Sequence, residues 1–134
     1  MAGLIVALAV AWLMAPLCVT LSRMRRIEKR VDHQALLAAC QTMMHTRTSY
    51  KTTFTSPEGQ SNIDLQDPRV PELIRRLTPS YVLVQDDVAT VEMGGGFGHY
   101  GVVAFAHGNE TTNRIPGRGK KKRKLSEGLW YYSD

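Results

Sequence analysis

The stretch YVLVQDDVATVEM, Tyr81 to Met93, decides the fold. Val82 and Val84 fall on one face of a strand, Asp86-Asp87 supply a turn, and Ala89, Val91 and Met93 share a face on the return, so the stretch predicts a β-hairpin. Downstream, HYGVVAFAH (His99 to His107) is apolar on both sides and predicts a central strand. GLWYYS, Gly128 to Ser133, is rich in aromatics and predicts a last strand. Between these two, Gly108 to Glu127 reads as a long polar loop.

Upstream, Val70, Leu73, Ile74 and Leu77 recur at helical spacing after Pro68 and Pro71, and Pro79 ends the pattern, which predicts a short amphipathic helix. Thr48 to Asn62 is polar, with a weak alternation of Tyr50, Thr52 and Phe54 and a turn at Ser56-Pro57-Glu58-Gly59, so it reads as an edge strand or a loop. Before it, IEKRVDHQALLAACQTMMHTR has neither Gly nor Pro and predicts a helix running to about Arg47. Ile27, Val31, Ala35, Ala38 and Thr42 form one stripe on it, widened by Leu36, Leu37, Cys40, Met43 and Met44. That face calls for a sheet to cover it; the small Ala38 and Ala39 leave open a protein partner or a homo-oligomer. The predicted fold class is α+β: a long helix packed on an antiparallel β-meander of about four strands, plus one short helix.

The N-terminus differs in kind. Residues 1–22 contain no Asp, Glu, Lys, Arg or His. Residues 2–22 as a helix would span about 32 Å, the thickness of a bilayer's hydrocarbon core, which predicts a transmembrane anchor in contact with lipid, with a kink ahead of Pro16. A cleaved signal peptide is disfavoured: no basic residue precedes the run, and Arg23, Arg25, Arg26, Lys29 and Arg30 follow it at once. By the positive-inside bias, those five place the following domain in the cytoplasm. The implied organisation is an anchor at 1–22, a juxtamembrane amphipathic helix at 23–47, and a small α+β domain at 48–134 with a basic loop at 114–124. Only Cys18 and Cys40 are present among 134 residues, so no disulfide framework is possible.

Net charge is +5, but it is segregated. Residues 31–113 carry nine acids against five bases, whereas residues 114–124 carry seven bases and no acid. The body is therefore mildly acidic and the basic character is local, which argues against a nucleic-acid surface, as does the lack of aromatics within the run. Arg118, Lys120, Lys121, Lys122, Arg123 and Lys124 form the second basic cluster. On a tethered domain, both clusters are candidate contacts for anionic lipid or another polyanion.

Gly94-Gly95-Gly96-Phe97-Gly98-His99-Tyr100-Gly101 is the other unusual stretch. Gly96, Gly98 and Gly101 satisfy G-x-G-x-x-G, but a strand follows where a dinucleotide site requires a helix N-terminus. With Val103 the loop resembles the glycine-rich loop of protein kinases, yet the chain holds no H-R-D or D-F-G and is too short for a kinase. The glycines instead predict positive φ angles or backbone clearance, and Phe97, His99 and Tyr100 beside them mark this loop as the candidate ligand- or partner-binding surface. His99 and His107 lie too far apart on one strand to share an ion, as do His33 and His45 on the helix, so no metal site and no cofactor are expected. No catalytic motif appears, and Asp86 and Asp87 at a turn should diverge into water, so no catalytic residue is assigned.

A hydrophobic N-terminal helix running into an amphipathic one and then a β-meander resembles, in outline, the type IV pilins and pseudopilins. That resemblance implies an exported structural subunit. Gly3 is followed here by Leu4, and Leu8 stands where those proteins carry a glutamate. The primary expectation is a membrane-anchored, non-catalytic interaction module. The pilin-like subunit, and a small ligand-binding or hydrolytic domain with a pocket at the glycine-rich loop, stand as alternatives.

Overall fold

The computed structural model of the protein describes residues 18, 21–22, 24–94, 98–116 and 121–133. Its centre is the predicted hairpin. Seven strands form one antiparallel sheet in the order β1-β2-β3-β4-β5-β7-β6: β1 (Thr52–Thr55), β2 (Ser61–Ile63), β3 (Tyr81–Val84), β4 (Val88–Glu92), β5 (Tyr100–Phe105), β6 (Lys121–Ser126) and β7 (Leu129–Ser133). Helix α1 (His33–His45) packs on one face, with the short α2 (Glu72–Arg76) beside it.

The alternation written in β3 and β4 sorts the two faces. Val82, Val84, Ala89, Val91 and Met93 join Val102, Ala104, Leu129 and Tyr131 under α1, which contributes Leu36, Cys40, Met43 and Met44. On the opposite face Val88, Val103, Phe105 and Tyr132 form a second cluster, covered by Ile115 from the β5–β6 connection. All six residues of β5 are buried, as its apolar character on both sides predicted.

Three expectations are corrected. The sheet has seven strands, not about four, because the polar Thr48 to Asn62 segment supplies β1 and β2, and the basic stretch expected to be a loop supplies β6. Neither of these edge strands carries a core-facing apolar alternation, β1 being exposed at every position, and each is held by pairing, β1 with β2 and β6 with the aromatic β7. Lysines along β6 also suit an edge, where charge deters further strand addition.

The long helix is not continuous. Residues 24–29 are helical, the chain turns at Arg30 and Val31, and Asp32 starts α1 afresh. Asp32 Oδ1 accepts from the amides of Gln34 at 2.9 Å and Ala35 at 3.1 Å, while His33 Nε2 donates to the Ile27 carbonyl at 2.9 Å, satisfying groups on both sides of the break. The break resets the helical phase. Ala35, Ala38 and Thr42, placed in the predicted stripe, are exposed, and the buried stripe runs through Leu36, Cys40, Met43 and Met44.

The predicted anchor falls outside the described residues except for Cys18, Leu21 and Ser22, which are helical and exposed. Among the described residues no helix is long and apolar enough to cross a membrane.

The turn at Asp86-Asp87 forms as expected, but its side chains do not simply diverge into water. Arg47 meets Asp86 at 2.8 Å, and Arg114 donates to Asp87 at 3.0 Å and to Gln85 Oε1 at 2.8 Å. Adjacent carboxylates thus bind arginines from two separate loops. The Arg114 guanidinium holds the Asp87 carboxyl below the usual carboxylate range.

Candidate functional site

Strand register builds the site. Tyr81 faces Glu92, Glu92 faces Gly101, Gly101 faces Tyr132, and Tyr132 faces Lys122, so one row crosses five strands on the face away from α1. Glu92 is 2% exposed. A carboxylate so buried needs hydrogen-bond donors, and two residues approach it. The Tyr132 hydroxyl donates to Oε2, and His99 Nδ1 lies 3.2 Å from Oε1. Gly101 makes this approach possible: a Cβ there would meet the Val91 carbonyl oxygen and stand 2.9 Å from the Tyr132 hydroxyl. At this position the absent side chain provides clearance, as the glycine pattern suggested.

The His99 side chain is 70% exposed, although its partner carboxylate is only 3% exposed. The imidazole therefore links a buried charge to solvent. The contact of Nδ1 with Glu92 orients the ring and leaves its other edge toward solvent, an arrangement that presents the imidazole for binding. Glu92 is its only hydrogen-bond partner among the described residues. The same buried carboxylate, after desolvation, helps hold the Tyr81 phenol above its usual range.

Of the predicted glycine-rich surface, Gly94, Gly98, His99, Tyr100 and Gly101 are described, while Gly95, Gly96 and Phe97 lie outside the described residues. His99 and Gly101 belong to the row. Tyr100 does not join them at the surface: strand alternation sends it to the α1 face, where it is 2% exposed beside Ile27 and Met93. Glu92, Tyr132 and Lys122 were missed as members of this row. The signal for Glu92 was present, since alternation sets Thr90 and Glu92 opposite Ala89, Val91 and Met93.

The basic clusters are also redistributed. Arg23, Arg118 and Lys120 lie outside the described residues; Arg25, Arg26, Lys29 and Arg30 are all exposed on the N-terminal segment. Lys121, Lys122, Arg123 and Lys124 stand on β6, not on a loop tip, and several of their charges have partners inside the fold. Lys124 pairs with Glu110 and Glu127, each at 3.0 Å, and lies over the Trp130 ring. The hydrogen bonds that Lys124 donates to the carboxylates of Glu127, foremost, and Glu110 raise its pKa, and Lys124 in turn lowers that of Glu110. Lys122 donates to the Thr112 carbonyl at 3.0 Å, and Arg123 reaches Glu28 at 3.5 Å. That last pair joins the basic strand to the basic N-terminal segment.

Among the described residues no group of three or more His, Cys, Asp or Glu side chains is placed to hold a metal ion. Cys40 is wholly buried under the sheet, and burial pushes its thiol up to about 12, which makes it a packing residue and not a nucleophile. No known protein family, no curated protein and no solved structure matches this chain.

Proposed function

We propose that the chain is a single-pass, membrane-tethered, non-catalytic interaction module with its domain on the cytoplasmic side. Its contact surface is the end of the sheet where His99 stands on Glu92. The observation that carries this reading is the exposed imidazole fixed by a buried carboxylate, because holding a polar side chain in place at a surface reduces the entropy lost when a partner binds. The uncharged residues 2–22 support the tether, and so does Ile27, which is 3% exposed and packs the segment after them into the domain core.

Two measurements on the full chain in cells test this reading. Thiol labelling of Glu127→Cys in a Cys18→Ser background should occur only after permeabilisation; labelling of intact cells would instead favour the exported, pilin-like subunit. Glu127 suits the probe because its side chain is 81% exposed. A photo-crosslinking residue at position 99 should yield a discrete adduct that the same residue at exposed Gln34 does not. Adducts at neither position, or only at Gln34, would refute the proposed surface.

A further inference from the structure

Among the described residues, every arginine outside the N-terminal segment is paired with a carboxylate. Arg47 meets Asp86, Arg69 meets Asp67, Arg75 and Arg76 both meet Glu72, Arg114 meets Asp87, and Arg123 meets Glu28. Arg25, Arg26 and Arg30 have no carboxylate partner among the described residues, and they line one open groove of about 430 Å³ together with Cys18, Leu21 and Ser22. The spacing of 18, 21, 22, 25 and 26 puts these residues on one helix face, and the Arg30 amide folds back on the Arg26 carbonyl at 2.8 Å, which keeps Arg30 at the same end.

Three guanidinium groups on one face repel each other, and the nearest acid in the segment, Glu28, is engaged by Arg123. An external anion would relieve that repulsion. Guanidinium forks match phosphate oxygens in paired hydrogen bonds, so phosphate fits better than a smaller or softer anion. The other end of the groove is apolar: Leu21 is 49% exposed, and Cys18 beside it is exposed too. A ligand satisfying both ends has a phosphate joined to a hydrocarbon chain.

From this geometry we infer that the groove binds the headgroup of an acidic phospholipid, its phosphate on Arg25, Arg26 and Arg30 and the start of an acyl chain along Leu21 and Cys18. The inference rests on the membrane tether proposed above, which sets this groove at headgroup depth just past residue 22. It centres on the N-terminal cluster, because in the second cluster Lys122, Arg123 and Lys124 are engaged within the fold.

The test is calorimetric titration of the full chain, in neutral detergent, with dioctanoyl phosphatidic acid, dioctanoyl phosphatidylcholine and inorganic phosphate. Phosphatidic acid should bind at least about tenfold more tightly than either of the others. At roughly 1 kcal/mol for each basic residue near an anionic headgroup, Arg25→Gln/Arg26→Gln/Arg30→Gln should weaken it on the order of 100-fold. Lys121→Gln/Lys122→Gln should leave it unchanged. Equal binding of the two lipids, or a triple variant that binds like the unmodified chain, would overturn the headgroup site; inorganic phosphate binding as tightly as phosphatidic acid would overturn the lipid as its ligand. Flotation with pure phosphatidylcholine vesicles reads the tether by itself, so a chain that floats without lipid preference loses only the headgroup site, and one with preference that fails to float loses only the tether. All three arginines are exposed, and far-UV circular dichroism of each variant checks that the fold is kept.

Discussion

Glu92 and Tyr132, forty residues apart in sequence, meet side chain to side chain across the position of Gly101. The carboxylate lies buried beside Gly101, whose missing side chain lets the phenol reach it, and the phenol is the donor that makes the burial tolerable. Tyr132→Phe removes the donor and keeps the ring. We expect it to cost about 2 kcal/mol, the usual scale for a hydrogen bond to a charged group, with Glu92→Gln/Tyr132→Phe costing less than the sum of the two single changes. Urea denaturation of the four proteins in a double-mutant cycle measures the coupling.

Gly101→Ala should be among the most damaging methyl additions in the chain. The new Cβ meets the Val91 backbone, which cannot rotate away, so the expected cost is about 3 kcal/mol, at the upper end for over-packing. At Gly94 a Cβ would stand 2.8 Å from Ser80 Oγ, which a rotation about one side-chain bond can relieve, so Gly94→Ala should cost less than half as much. Melting temperatures of the two variants rank them directly.

Asp32→Ala should destabilise the protein by about 1 kcal/mol through loss of the α1 cap. Asp32→Asn should recover most of that, since an amide oxygen can accept the same two bonds. Denaturant midpoints at constant slope would confirm that the effect is on stability alone.

Asp67 sets a pH dependence. Its carboxylate accepts from both Arg69 and the Lys51 amide, the Arg69 side chain foremost, which holds it well below the usual carboxylate range. For a carboxyl depressed in the folded state, the stabilisation is complete above its unfolded pKa of about 4 and is lost as pH falls toward the folded value. Acidification below about pH 4 should therefore narrow the stability gap between the native chain and Asp67→Asn. A gap that widens in acid would contradict the assignment.

Cys40 should resist iodoacetamide until the chain unfolds, because a thiol buried under the sheet with its pKa raised to about 12 offers neither access nor thiolate. In a Cys18→Ser background, mass spectrometry should find no adduct under native conditions and one adduct in denaturant.

What was legible in the sequence was whatever the chain's own pattern of apolar residues determines. Val82, Val84, Ala89, Val91 and Met93 announced β3 and β4, apolar character on both sides announced β5, aromatic content β7, and helical spacing α2. Lys121 to Ser126 became a strand only because β7 lies alongside, and no local pattern in KKRKLS announces that. The helix break was written at Asp32 but without Gly or Pro, by a side chain that competes for backbone amides, and continuous helix propensity obscured it. At the site, His99 was visible beside its glycines. Its partner Glu92 could be placed on a face but not linked to Tyr132, because that contact depends on β7 lying next to β5 and not next in sequence.

The insertion of β7 between β5 and β6 sets an order on biosynthesis. Translation delivers β6 before the strand that holds it, so until β7 emerges, β5 has one open edge and β6 lacks its partner in the sheet. The aromatic side chains that close both faces, Tyr131 under α1 and Tyr132 over Glu92, arrive with that same strand. A chain in which β5 and β6 are made but β7 is not would therefore display a sheet with an open central edge, a template for pairing with another chain.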